Sequence, residues 1–122
     1  MVLEIKEIKN LSNKVKLTKS ERCALSELIR DVKAFWPGTK FKLFGSKVKG
    51  IADEESDLDL LIVLPCDVTE EIRKQIIHKV FEINLTFETN ISTLIMAREE
   101  WERPPFSLLP IHAYIEEEGI TL

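Results

Sequence analysis

Residues 44–64 read FGSKVKGIADEESDLDLLIVL. Two aspartates, Asp57 and Asp59, stand one residue apart at the head of one of the most apolar runs of the chain. Leu58 to Leu64 has the length and composition of a buried strand, closed by Pro65. Side chains at i and i+2 of a strand share a face, so both carboxylates project side by side. Adjacent like charges are unfavourable unless a cation lies between them. The spacing therefore points to a hard cation such as Mg²⁺, which takes carboxylate and phosphate oxygens.

Upstream, Lys40 to Phe44 alternates polar and apolar residues, a short strand that runs directly into Gly45-Ser46. Glycine at a strand-to-helix turn lets a backbone approach a ligand closely. Ser46 offers a hydroxyl and an amide, and a following helical turn over 46–50 would present an electropositive end to phosphate. Lys47 and Lys49 add charge beside it. Phosphate contacts on one side and metal ligands on the other describe a nucleotide site. The bland alternative for Asp57 and Asp59 is a solvated turn before a strand, and for the lysines a solvated face.

Outside this block the elements follow from periodicity. Thr18 and Glu21 form a capping box, and Cys23, Ala24, Leu25, Leu28, Ile29, Val32 and Phe35 follow at helical spacing until Trp36-Pro37-Gly38. Thr69 caps a second, long helix with Ile72, Ile76, Ile77, Val80 and Phe81 as its apolar stripe, ending between Asn84 and Asn90. Ile91 to Met96 reads as a third strand. A helical turn from Ala97 to Trp101 is broken by Pro104-Pro105, and a last helix from Leu109 to Glu118 stops at Gly119 before Ile120-Thr121-Leu122. Residues 1–12 fit an edge strand or a frayed helix equally well. The expected architecture is α/β (α+β), a small mixed sheet of three to four strands flanked by helices, in one domain over residues 1–122.

Composition narrows the function. A net charge of -4 and a pI near 5.3 argue against general nucleic-acid binding, which calls for a basic face. No apolar run is long enough for a membrane span, and the charged N-terminus is unlike a signal peptide, so the expected location is cytoplasmic. Cys23 and Cys66 lack metal or redox spacing and read as reduced thiols. His78 and His112 are equally isolated. Trp101, Pro104, Pro105 and Phe106 fit a core cover or a partner surface, and Glu116-Glu117-Glu118 reads as a solvated helix end.

Gly45-Ser46, ten intervening residues, then Asp57-Leu58-Asp59 resembles the signature of the nucleotidyltransferase superfamily typified by DNA polymerase beta, and the whole block looks like that of its minimal, single-domain members. The resemblance implies the polymerase beta-like fold, with phosphate contacts from Gly45 and Ser46, supported by Lys47 and Lys49. It makes Asp57 and Asp59 catalytic ligands of one or two Mg²⁺ ions. A third carboxylate normally lies on the strand after the long helix. Here Ser92 or Thr93 fills that place, with Glu88 and Glu99 the nearest acids.

Minimal members often pair with a small helical HEPN protein, frequently a toxin ribonuclease. The implied function is therefore Mg²⁺-dependent transfer of AMP from ATP to a hydroxyl of that partner, as an antitoxin. Two alternatives stand beside it: a weak or inactive nucleotide-binding antitoxin that acts by stoichiometric contact, and a transferase acting on a small hydroxylated molecule. The acceptor, the base preference and the choice between homo- and hetero-oligomer are not fixed by these residues.

Overall fold

A computed structural model describes residues 16–45, 48 and 57–122. Helix α1 (Lys19–Phe35) leads into strand β1 (Lys40–Phe44), and β2 (Leu58–Leu64) is followed by helix α2 (Glu70–Phe87) and β3 (Ile91–Ala97). Short helix α3 (Arg98–Glu102), a 3₁₀ turn (Phe106–Leu108), helix α4 (Pro110–Glu118) and strand β4 (Ile120–Thr121) complete the order. Four strands form one sheet in the order β3-β2-β1-β4. β1 pairs antiparallel with both β2 and β4, while β2 and β3 run parallel, joined by the crossover through α2. The mixed sheet flanked by helices is the expected class.

Both long helices begin as the sequence indicates. The Thr18 hydroxyl accepts from the Glu21 amide at 3.0 Å while Glu21 accepts from the Thr18 amide at 2.9 Å, so two helix-end donors are satisfied reciprocally. Thr69 Oγ1 accepts from the Ile72 amide at 3.2 Å. Gly38, with φ of 93°, makes the turn between α1 and β1.

Strand alternation divides the apolar residues between two faces. Phe41 and Leu43 of β1, Leu58, Leu60, Ile62 and Leu64 of β2, and Ile91 and Ile95 of β3 pack with Leu25, Leu28, Ile29 and Val32 of α1 and Ile76, Val80 and Ile83 of α2. On the other face Leu61, Val63 and Met96 pack with Trp101 of α3 and Ile115 of α4. Cover on both faces explains why β2 from Leu60 to Leu64 is uniformly buried rather than alternating.

Two expectations for α2 divide. Ile76 and Val80 are buried and Ile72 packs partly against the core, but Ile77 and Phe81, expected in the same stripe, are exposed. The buried arc is completed instead by Ile83. Asn84, on the β3 side of α2, occupies the free edge of that strand. Its Oδ1 accepts from the Ile91 amide at 2.9 Å and its Nδ2 donates to the Ile91 carbonyl at 3.1 Å. Arg73 donates to the Ile95 carbonyl at 3.4 Å, so side chains of α2 occupy the edge at Ile91 and Ile95, where another strand would otherwise pair.

Candidate active site

Asp59 is the second residue of β2, level with Phe44 of β1 on one side and Ser92 of β3 on the other. Asp57 lies two residues earlier, exposed, just before the strand begins. Alternation puts both on the face shared with Leu61 and Val63, opposite the two long helices. The Asp59 carboxyl is held above its ordinary range, first by burial and then by the neighbouring charge of Asp57. Two carboxylates that repel each other, with oxygens as the only donors, suit a hard divalent cation.

Gly45 follows β1 directly and brings its backbone against the Asp59 side chain. Its φ is 88°, a conformation that residues with a side chain rarely adopt. A Cβ at Gly45 would collide with Asp59 Oδ2 and lie 3.1 Å from Asp59 Cγ. Glycine is therefore needed here twice, for the turn and for the space that the Asp59 carboxylate fills. The Gly45 carbonyl accepts from the Val48 amide at 3.1 Å, closing the turn after β1. Ser46, Lys47 and Lys49, read as phosphate contacts, lie outside the described residues.

The third acid does not assemble. Ser92 holds the register position beside Asp59, exposed and without a carboxylate. Glu99 belongs to α3, beyond the far end of β3, seven residues of strand or about 20 Å from Asp57. Glu88 shares the Asp57 end of the sheet, because Leu58 is level with Ile91. Among the described residues, however, no three His, Cys, Asp or Glu side chains group to hold a metal.

Further along the same face is an arrangement that the sequence reading missed. Glu116 Oε1 accepts from the buried Trp101 indole Nε1 at 2.9 Å, and Lys42 lies 3.4 Å from Oε2. The Trp101 hydrogen bond, aided by Lys42, holds the Glu116 carboxyl below its ordinary range despite its partial burial. His112 stacks on Trp101 with ring centroids 4.3 Å apart. A cavity of about 440 Å³ opens beside them, bordered by Lys40, Leu61, Val63 and Arg98. The partners of Glu116 are 15 and 74 residues away in sequence, and no local pattern announces them.

A mixed sheet with two neighbouring carboxylates at one strand head, and a glycine turn against the second of them, is an arrangement whose chemistry suits a divalent cation and a phosphate ligand. The chain belongs to the nucleotidyltransferase domain family, whose model matches residues 25–107 and so includes Gly45, Asp57 and Asp59. No curated protein matches the chain. The family generally uses a nucleoside triphosphate and a divalent metal. Among the described residues no helix is long and apolar enough to cross a membrane.

Proposed function

We propose that the protein transfers AMP from ATP, with Mg²⁺, to a hydroxyl of a partner protein of the helical HEPN type, and so acts as an antitoxin. The observation that supports it most is the seat of Asp59. Its carboxylate occupies the space left by Gly45, raised by burial and by Asp57, inside the matched family region. Asp57 and Asp59 would hold the metal, which supplies charge stabilisation for the phosphates and orients the nucleotide. The turn at Gly45 positions the Asp59 carboxylate, and Ser46, Lys47 and Lys49 are assigned to the phosphates by the resemblance. The acceptor oxygen attacks the α-phosphorus, a new P–O bond forms, the bond to the β-phosphate breaks, and pyrophosphate leaves. The hydroxyl proton passes to solvent or to a base of the acceptor, since no third acid stands beside Asp59 in the described residues.

That gap favours a second reading, a nucleotide-binding antitoxin that has kept the site and neutralises its partner by contact. One experiment separates the two. Label from α-phosphate-labelled ATP and Mg²⁺ is followed into proteins of a source-organism lysate, beside the Asp57→Asn variant. A labelled small protein that disappears with the variant supports transfer to protein. Nucleotide binding without any label overturns transfer and leaves the contact reading, whereas label in a small molecule with purified protein alone selects a small hydroxylated acceptor.

A further inference from the structure

Among the described residues, α2 carries an exposed apolar surface away from the carboxylates. Ile77, Phe81 and Leu85 are 51%, 60% and 65% exposed. They recur every four residues, so they form one line along the helix, about 12 Å from first to last. Three large apolar side chains in one line are not the scattered exposure normal for a protein surface.

The line is symmetric about Phe81. Four residues before it is Ile77 and four after it is Leu85; seven before it is Lys74 and seven after it is Glu88. Neither Lys74 nor Glu88 has an ion pair within the described residues, whereas neighbouring charges do: His78 contacts Glu82 at 2.6 Å and Lys79 contacts Asp31 at 3.5 Å. Glu88 also sits in the left-handed region, φ 55°, at a helix end where glycine or asparagine is usual. Apolar residues at equal distances from a centre, with opposite charges at the two ends, are what a self-complementary contact across a two-fold axis requires.

We propose that α2 is a homodimer interface in which two copies pack these helices antiparallel about Phe81. Ile77 then meets the partner's Leu85, Phe81 meets the partner's Phe81, and Lys74 meets the partner's Glu88. A foreign helix would need no such symmetry. The contact is helix on helix rather than strand on strand, because the exposed apolar line is on α2 and Asn84 and Arg73 already occupy the adjacent β3 edge at Ile91 and Ile95. Asp57 and Asp59 lie on the opposite face of the sheet and stay open, so the dimer is independent of the transfer reaction.

Three anchors per copy make a small interface, which sets a reversible association. Sedimentation equilibrium over a range of micromolar concentrations should show monomer and dimer in exchange. Phe81→Glu, at an exposed position, should weaken the dimer about a hundredfold, since it removes a central contact from both copies. Lys74→Glu should weaken it less, by about tenfold, and adding Glu88→Lys should restore it, with the charge effect fading in high salt. A chain that stays monomeric at every concentration, or dimerises equally well with Phe81→Glu, overturns the proposal. So does a Lys74→Glu defect that Glu88→Lys fails to repair, or a chain that is monomeric alone and associates through Phe81 only with a different protein.

Discussion

Asp59 and Glu116 share one face of the sheet, and the chain surrounds them differently. Glu116, near the C-terminal end of β2, is given the Trp101 indole hydrogen and the Lys42 ammonium, and its carboxyl is held low. Asp59, at the other end of β2, is given burial and a second carboxylate, and its carboxyl is held high. The first is a charge the protein satisfies itself. The second is a charge that its described surroundings disfavour, and under the proposed function a bound cation would relieve it. The comparison predicts opposite responses to removal of the two charges.

The largest effect should come from Asp59→Asn. If transfer occurs, it should fall by more than about a hundredfold, because even outer partners of a metal ligand are worth about 10- to 100-fold. The metal-free protein should meanwhile become slightly more stable, within about 1 kcal/mol, since a partly buried, repelled charge has been removed. Thermal unfolding with and without Mg²⁺ checks both halves: the ion should raise the midpoint of the wild type and not that of the variant. A wild type indifferent to divalent ions would remove the contrast between the two acids.

Gly45→Ala should come next, at about 2–4 kcal/mol, from the strained φ and the collision with the Asp59 carboxylate together. A double-mutant cycle with Asp59→Ala sharpens this. Removing the carboxylate should lower the cost of Gly45→Ala by about 1–2 kcal/mol, leaving the backbone strain behind. Chemical denaturation of the four proteins measures it. A cycle with no coupling would mean that Gly45 serves the turn alone.

How much of this was legible in the chain depends on how local the cause is. The capping box of Thr18 and Glu21 and the Thr69 cap are fixed within a few residues and each stands as read, and the two-residue spacing of Asp57 and Asp59 leaves the first close enough to act on the charge of the second. Ile77 and Phe81 were expected inside, because α2 has apolar residues over more of its circumference than one core face can cover. Only the packing of α1 and the sheet selects Ile76, Val80 and Ile83. Glu99 was a candidate third acid by nearness in sequence, but the parallel pairing of β2 with β3 puts it at the wrong end. Glu116 read as one of three solvated glutamates. Its role depends on Trp101 and on Lys42 of a strand far away in sequence, which neither spacing nor composition encodes.

The smallest expected effect tests that last point. Glu116→Ala leaves the Trp101 indole hydrogen without its acceptor and Lys42 without its partner, and it should cost about 1–2 kcal/mol, limited by the partial exposure of the carboxylate. Its pH dependence has a definite sign. A carboxyl whose folded pKa lies below its ordinary value of 4.5 stabilises the fold above that value, and the contribution is lost as pH falls through the lowered folded pKa. Asp59 runs the other way in the metal-free protein: its folded pKa lies above 3.8, so its penalty is absent below that value and grows as pH rises through the raised pKa. Unfolding measured from neutral to acid pH should therefore show the cost of Glu116→Ala shrinking and the gain from Asp59→Asn shrinking with it. If the cost of Glu116→Ala is the same at both ends of the range, its value is packing around Trp101 rather than charge, and the contrast with Asp59 reduces to one acid instead of two.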